Sequence, residues 1–361
     1  MKTQLYKVVL FLLLIPTIGF ANDGKKKHEK SRIIKKSYTV NANATVSIDN
    51  RYGNIKVKTW SKNRVEIEVK ITVKGNNLDF VERKLSTIDV DFNASTNFVS
   101  AKTIFGSSKS NWSWWRKSSN VNYQIDYLVR MPESNNIDLD NDYGNIYLDK
   151  LNGEADINCD YGKIIIGELL NKQNNINLDY CSSSNISYIK SGNINIDYSK
   201  LSVEKSDRIR VNADYSTLQF TEINTLNFNT DYGSVTVDEA NSITGNTDYT
   251  SMRFGTIKKS LKIDADYGSI RIKNLENGFD FIDIDSQYTG IRIGVAPNNN
   301  FNFIIDLQYA SFKRDSDNVD IYKSIEKNSK KHYEGFYGKE KTSSKVIIKS
   351  QYGSVSIKEN Y

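Results

Sequence analysis

The sequence predicts an all-β protein: a β-solenoid (parallel β-helix-like) of 17–21-residue coils with a small β-rich N-terminal cap. Two observations carry this prediction, namely a tyrosine that recurs at fixed spacing and a period-two alternation of apolar residues on both sides of it. Composition agrees, since the 361 residues include 22 tyrosines and 20 glycines but only three prolines, two cysteines and two histidines. So few cysteines and histidines disfavour a disulfide scaffold, a multi-histidine metal site and a histidine-based hydrolase.

The recurring tyrosine defines the coil length. Successive copies are 17 to 21 residues apart up to Tyr309, and the 43-residue gap before Tyr352 predicts one degenerate or expanded coil between them. A lone copy lies upstream at Tyr52. The preceding residue is Asp in eight consecutive copies and Gln in the last three, and the following residue is usually small. The regular copies are Tyr143, Tyr161, Tyr180, Tyr198, Tyr215, Tyr232, Tyr249, Tyr267, Tyr288, Tyr309 and Tyr352.

The flanks of each tyrosine predict two short strands per coil. Ile263 and Ala265 alternate with polar residues before Tyr267, and Ile270 and Ile272 do so after it, with the phase shifted by one residue. Alternation is typical of a strand with one buried face, and the phase shift predicts a bend. A period this short cannot hold a βαβ crossover, which needs about 30 residues. Stacked coils would bury a continuous core, and we expect the tyrosines to form a ladder inside it.

Positions −1, −3 and −5 from each tyrosine are predicted to face outward, and they are rich in Asp and Asn. Two interpretations remain open. Each Asp could accept a backbone N–H across the bend while the asparagines form hydrogen-bonded ladders, or the surface could bind a glycan or a divalent cation. The cation in the second interpretation is calcium, although the sequence contains no calcium loop motif. No cofactor is predicted. The candidate contact residues of this row are Asp160, Asp179, Asp197, Asp214, Asp231 and Asp248.

Position +4 becomes basic late in the chain, at Arg253, Arg271, Arg292 and Lys313. These cations either pair with acidic neighbours or face an anionic partner.

The two cysteines are predicted to remain unbonded. In adjacent coils, Cys159 and Cys181 would be offset by about 10 Å along the strand. A disulfide needs Cα atoms within about 7 Å.

The chain divides into four predicted regions: a signal peptide (1–21), a basic tether (22–37), the cap with the first tyrosine repeat (38–131), and the solenoid (132–361) with a surface insertion at about 314–345. Lys2 and Lys7 precede an apolar run, and small residues at Gly19 and Ala21 favour cleavage after Ala21. We therefore expect an exported protein that is periplasmic, outer-membrane-associated or extracellular, with no transmembrane span after cleavage and no nucleic-acid partner. Within the cap, the spacing from Leu78 to Ile88 predicts a short helix. The last strand is expected to leave an exposed edge.

Three of the four tryptophans lie in one serine-rich tip. The sequence favours two interpretations equally: an exposed patch for a glycan, protein partner or membrane interface, or a hairpin that folds back on the cap. The residues of this tip are Trp112, Trp114, Trp115 and Arg116.

No catalytic motif is present: the sequence contains no G-x-S-x-G, no H-E-x-x-H and no P-loop. We therefore predict no catalytic or metal-binding residues. The prediction from these residues is a non-catalytic extracytoplasmic structural protein that contacts a glycan or a cell-envelope protein. The alternatives are a carbohydrate-binding module, using the Asp/Asn face or the tryptophan tip, and a polysaccharide-processing enzyme.

One segment resembles a known family. The run from Tyr127 to Pro132, then Ile137-Asp138-Leu139, then Asp142-Tyr143-Gly144-Asn145-Ile146 and Leu151-Asn152-Gly153, is similar to the adhesin families of bacterial extracytoplasmic proteins, including the auto-transporter-adhesin-head type. The resemblance covers most of residues 40–361 and implies short β repeats and an adhesin-like role. Met131 stands where the family has Val before the proline.

Overall fold

The computed structural model describes residues 26–106, 121–315, 317–339 and 342–359. The described chain is nearly all β, with 26 strands in one mostly parallel sheet and a single short helix. The N-terminal elements are β1 (His28–Thr39), β2 (Thr45–Arg51), β3 (Ile55–Trp60), β4 (Arg64–Gly75), α1 (Leu78–Thr87), β5 (Ile88–Ala94), β6 (Phe98–Phe105) and β7 (Asn122–Pro132).

The central strands follow the tyrosine repeat. They are β8 (Asn136–Asp142), β9 (Asn145–Leu151), β10 (Ala155–Asp160), β11 (Lys163–Leu169), β12 (Asn174–Asp179), β13 (Ser184–Asp197), β14 (Lys200–Asp214), β15 (Thr217–Asp231), β16 (Ser234–Asp248), β17 (Ser251–Asp266), β18 (Ser269–Leu275), β19 (Phe281–Gln287) and β20 (Gly290–Val295). The C-terminal strands are β21 (Phe301–Gln308), β22 (Ser311–Asp315), β23 (Val319–Lys327), β24 (Lys330–Tyr337), β25 (Lys345–Gln351) and β26 (Ser354–Glu359).

Successive repeats pair in parallel and in register with the tyrosine period. In β14, β15 and β16 the equivalent residues Asp214, Asp231 and Asp248 lie side by side, each 17 residues after the last. Only two residues, Tyr215 and Ser216, separate β14 from β15. Each rung of the sheet therefore contains one complete repeat.

The buried face of the sheet holds one continuous apolar core, which extends from Val40 to Ile357. Along β15, buried and exposed residues alternate as the sequence predicts. Neighbouring rungs compensate for side-chain size: the Phe228 ring occupies the space beside Gly245, so a Cβ atom at Gly245 would overlap the ring. The core thus needs complementary volumes between rungs as well as apolar residues.

Antiparallel strands cover both ends of the parallel stack. At the N-terminal end, β4 pairs with β7 and β1 pairs with β4, and α1, which Asn77 caps, packs on β4. The short-helix prediction is confirmed. Residues from His28 to Ser37 belong to β1 rather than to a solvated tether, because their backbone groups pair with β4. At the other end, β24 pairs with β21 and β23 with β24, so the outer edge of β21 is covered, whereas β22 pairs with β26 on one side.

The C-terminal strands correct two sequence predictions. β25 pairs in parallel with both β19 and β21, and β26 pairs with both β20 and β22. The last strands, β25 and β26, therefore lie within the sheet rather than at its edge, and the described residues of the long gap before Tyr352 form a hairpin, β23 and β24, and no degenerate coil. The insertion explains this order. Because β24 pairs with the outer edge of β21, β25 pairs with the inner edge of β21 and lies between β21 and β19.

Candidate functional site

The tyrosines form a ladder on the outside of the sheet, so the predicted internal position is wrong. Twelve rings stack in the spatial order Tyr52, Tyr143, Tyr161, Tyr180, Tyr198, Tyr215, Tyr232, Tyr249, Tyr267, Tyr288, Tyr352 and Tyr309. Neighbouring centroids are 4.7 to 5.3 Å apart and the ring planes differ by only 1° to 7°. The side chains are 38% to 59% exposed. Tyr52, which the sequence left as a lone copy, is the first rung.

The local backbone explains why the rings point outward. Every ladder tyrosine has a positive φ, between 49° and 64°, in the left-handed region that non-glycine residues rarely adopt. This conformation turns the chain at the tyrosine and sends the next residue inward, as Ser199, Ser216, Thr250 and Thr289 show by their burial. At Gly144 a Cβ would overlap the carbonyl oxygen of Gly53 on the adjacent rung, so the position after the tyrosine must be small.

Stacking leaves only part of each ring available to a ligand. Both faces of an inner ring are covered by its neighbours, so the ladder presents ring edges and a row of phenol hydroxyls about 5 Å apart. At the N-terminal end Tyr52 also contacts Phe105 and Tyr123 edge-on. At the far end, within the described chain, Tyr309 has a ring contact on one face only and is the most exposed rung at 59%.

The six candidate aspartates lie in one outward column beside the ladder, as predicted. Asp142, Asp160, Asp179, Asp197, Asp214, Asp231, Asp248 and Asp266 are in register on successive strands. Arg51 ends the column through an ion pair with Asp142, with Nε 2.9 Å from Oδ2. Burial, followed by the charges of Asp179 and Asp142, raises the pKa of Asp160, and burial and Asp248 raise the pKa of Asp266. The column therefore concentrates negative charge.

The asparagines one column further form the predicted amide ladder. Each Nδ2 donates to the Oδ1 of the preceding rung: Asn177 to Asn158 at 2.6 Å, Asn195 to Asn177 at 2.8 Å, Asn212 to Asn195 at 3.0 Å, and Asn229 to Asn212 at 3.1 Å. Around Asn212 and Asn229 the surface forms a shallow groove of about 460 Å³, lined by residues that include Arg210, Asn227, Asn246 and Lys262. The amides stabilise the stack and also present polar groups to solvent.

The predicted hydrogen bonds across the bend differ from the observed ones. In the described residues no aspartate of the column accepts a backbone N–H two residues on. Instead, the buried hydroxyls that follow the tyrosine donate to the aspartate's own backbone carbonyl: Ser199 to Asp197 at 2.7 Å and Ser216 to Asp214 at 2.7 Å. Asp142 pairs with Arg51 and Asp266 accepts a backbone hydrogen bond from Gln287, and the carboxylates between them remain available to solvent and ligands.

The cysteines are closer than the spacing argument predicts. Cys181 follows a left-handed tyrosine and is buried, so its Sγ donates to the carbonyl oxygen of Cys159 at 3.0 Å. The predicted offset of three residues is present, since Cys159 pairs with Leu178, but the bend at Tyr180 turns the Cys181 side chain back towards Cys159. Both cysteines are free thiols. Contact with the Cys181 thiol, together with burial, raises the pKa of Cys159, whereas the hydrogen bond with Cys159 lowers the pKa of Cys181.

The tryptophan tip lies outside the described residues, and the described residues hold neither a metal cluster nor a membrane-spanning helix. Trp112, Trp114, Trp115 and Arg116 lie outside the described residues, as does the signal peptide. Within the described ranges, no group of three or more His, Cys, Asp or Glu side chains is arranged to hold a metal ion. None of the described segments is a helix long and apolar enough to cross a membrane.

The outward direction of the tyrosines was readable from the sequence in one respect. Alternate residues of a strand share a face, so the buried positions +3 and +5 after the tyrosine place position +1 on the buried face and the tyrosine itself on the exposed face. The same count along the strand before the tyrosine places the ring on the buried face. The two counts agree only because the left-handed backbone at the tyrosine changes the direction of the chain. The small residue at +1 is the signal that favours the downstream count.

No family model and no curated protein matches this chain. Among solved structures, it is similar to a "putative cell adhesion protein" from Clostridium sporogenes, with 11% identity, a TM-score of 0.18 and coverage of 92% of this chain and 100% of that chain. It is also similar to a "putative adhesin" from Parabacteroides distasonis, with 9% identity, a TM-score of 0.36 and coverage of 72% and 96%. A "putative lipid binding protein" from the same species has 12% identity, a TM-score of 0.33 and coverage of 74% and 97%. The first two carry the description of the family that the sequence resembles, and at these TM-scores they add no argument about function.

Proposed function

We propose that the chain is a non-catalytic, exported β-solenoid that acts as an adhesin-like scaffold, and that the tyrosine ladder with its flanking aspartates is its contact surface. The observation that carries the proposal is the exposed ladder itself. It is a continuous aromatic surface about 54 Å long, taking the eleven centroid separations together. Extended exposed surfaces of large apolar side chains are typical of interaction sites.

The register supports the solenoid. β14 and β15 pair in parallel over their whole length, although only two residues link them. Two residues span at most about 7 Å, whereas a straight strand of 15 residues would extend about 50 Å. The chain can return to the start of the next strand only if each repeat closes one turn.

Backbone strain supports a contact role for the ladder. The left-handed conformation costs about 1–2 kcal/mol at each non-glycine residue, and glycine or asparagine would adopt it more readily. Twelve tyrosines nevertheless occupy these positions. Ring stacking contributes about 0.5–1.5 kcal/mol per pair and offsets the strain. Stacking alone, however, does not explain why a column of carboxylates lies beside the ladder. Strained residues that persist in this way are typical of functional surfaces.

The test is adhesion of the full chain to immobilised glycans and to cell-envelope proteins. We expect the triple variant Tyr198→Asn, Tyr215→Asn, Tyr232→Asn to lose adhesion, because Asn accepts the left-handed backbone but removes the rings. The matched control replaces three exposed residues outside the ladder: Ile33→Asn, Tyr322→Asn and Ile325→Asn. Equal adhesion of the wild type and the ladder variant, with both folded by circular dichroism, would reject the proposal.

The groove on the Asp/Asn face favours a second candidate function, a carbohydrate-binding module. Its amide, guanidinium and ammonium groups converge on one concave surface, as sugar hydroxyls require. We expect Asn229→Ala with Asn246→Ala to abolish binding on a glycan array while the ladder variant retains it. The reverse result would favour the ladder. Loss of glycan binding in Trp114→Ala alone would place the site at the tryptophan tip.

A further inference from the structure

We propose that the outward column Arg253, Arg271, Arg292 and Lys313 is a binding site for a linear acidic polysaccharide, that is, a chain carrying repeated carboxylate or sulfate groups. We call these four residues the basic column. It lies on the strands that follow the tyrosine, whereas the aspartate column lies on the strands before it. The site is therefore separate from the surface of the proposed adhesin-like contact, and either can fail without the other.

The sheet register builds the column. Arg253 of β17 pairs with Arg271 of β18, which pairs with Arg292 of β20. Ser356 of β26 lies next to Arg292, and Lys313 of β22 lies beyond Ser356. At about 4.8 Å per strand, the four cations span roughly 19 Å. All four side chains are exposed.

The cations have no acidic partner in the described part of the chain. Neither the three arginines nor Lys313 forms an ion pair there, although fifteen such contacts occur elsewhere in the described residues. Adjacent like charges at this spacing repel by roughly 1 kcal/mol in water. The column is thus an unfavourable arrangement for the isolated chain, and a bound anion would relieve it.

The repeat does not require these cations. On the six rungs between Lys56, which precedes Tyr147 in the same column, and Arg253, the column is neutral and contains Tyr147, Ile165, Asn185, Ser202, Gln219 and Thr236. The column becomes basic at Arg253 and holds a cation on each later rung except at Ser356, which lies between Arg292 and Lys313. Since the fold accepts neutral residues at this position, the charge of the last rungs serves something other than stacking.

The surroundings suit a polysaccharide. Beside the arginines, Ser251 and Ser269 lie on adjacent strands, and Ser354 follows beyond Gly290. At the end of the stack a shallow groove of about 720 Å³ is lined by Arg292, Lys313 and four further residues. Guanidinium groups match carboxylate and sulfate geometry with two parallel hydrogen bonds. The serine hydroxyls can pair with sugar hydroxyls. Single-stranded nucleic acid would need exposed aromatic rings for its bases, and the one ring in the groove, Phe312, is half-buried against Phe303 and Tyr333.

The test measures binding of the full chain to defined probes by titration calorimetry at several salt concentrations. The probes are heparin for sulfate, polygalacturonate for carboxylate, neutral dextran, oligo-dT and phosphatidylglycerol vesicles. We expect binding to heparin, polygalacturonate or both, and none to dextran. Arg253→Gln, Arg271→Gln, Arg292→Gln should weaken that binding at least tenfold and reduce the slope of log K against log salt by about two, since fewer counterions are released.

The matched control removes the same charge from exposed lysines far from the column: Lys58→Gln, Lys70→Gln and Lys172→Gln. Its affinity should stay within twofold of the wild type. Both variants should unfold at wild-type urea concentrations or above, which separates loss of the site from loss of the fold. The proposal is overturned if neither acidic polysaccharide binds, if the arginine variant binds as the wild type, or if the control loses as much. Tighter arginine-dependent binding of oligo-dT or vesicles would also overturn it, because the ligand class would then be wrong.

Discussion

Replacing one inner ring of the ladder measures how much stacking stabilises the fold. Tyr215 stacks on Tyr198 at 4.9 Å and 1°, and on Tyr232 at 5.0 Å and 3°. Each pair contributes about 0.5–1.5 kcal/mol beyond burial. The side chain is 52% exposed, so burial of the other half of the ring adds about 1 kcal/mol. Tyr215→Ala should therefore lower the free energy of unfolding by about 2–4 kcal/mol.

The comparison with glycine separates ring stacking from backbone strain. Tyr215 has a φ of 50°, which alanine adopts only at a cost of about 1–2 kcal/mol, whereas glycine adopts it freely. Tyr215→Gly should thus be about 1 kcal/mol more stable than Tyr215→Ala, the opposite of the usual order within a strand. The assay is urea unfolding followed by far-UV circular dichroism with linear extrapolation.

Tyr322→Ala is the control for this series, because Tyr322 is 61% exposed and lies outside the ladder. Its free energy of unfolding should stay within about 0.5 kcal/mol of the wild type. Two results would refute the reasoning: an alanine variant as stable as the wild type would mean that stacking contributes nothing, and an alanine variant at least as stable as the glycine variant would mean that the left-handed backbone is not strained.

Three further predictions concern the charged rows and the core. The pKa of Asp160 is raised in the fold, so the protein becomes more stable as the pH falls through that pKa towards the unfolded value of about 3.9. Asp160→Asn should remove this pH dependence and, at pH 7 and low salt, stabilise the fold by up to about 1 kcal/mol. Urea unfolding at pH 4 to 7 measures both effects. Gly245→Ala should destabilise by about 1–3 kcal/mol because its Cβ overlaps a ring, and adding Phe228→Leu should recover part of that loss; no recovery in urea unfolding would contradict the size-matching argument. Hydrogen bonds to Asp306 and to a neighbouring glutamate raise the pKa of His332. The stabilisation of the fold by protonated His332 is therefore complete below the unfolded pKa of about 6.5 and is lost as the pH rises through the folded pKa. His332→Gln should reduce the change of melting temperature with pH between pH 6 and 9, and an unchanged pH dependence would contradict this role of His332.

The sequence by itself determined the repeat and most of its consequences. The tyrosine spacing and the alternation fix strand identity, parallel register and the outward Asp and Asn rows, because each depends only on the period-two geometry of a strand. The amide ladder followed as well, since equal spacing brings like residues together on adjacent rungs. The cluster of cations at +4 was also visible in the sequence, but the sequence did not show that no acidic side chain of the described residues pairs with it.

Only the tertiary structure decided how the chain turns at each tyrosine and which strands the C-terminal segment pairs with. A left-handed φ at each tyrosine turns the rings outward and brings Cys181 against Cys159, and no spacing rule predicts the sign of a single dihedral angle. The placement of β25 between β19 and β21 depends on competition between distant segments for one sheet edge. Local periodicity specifies what a strand can pair with, whereas the partner it obtains depends on which edges the rest of the chain leaves open.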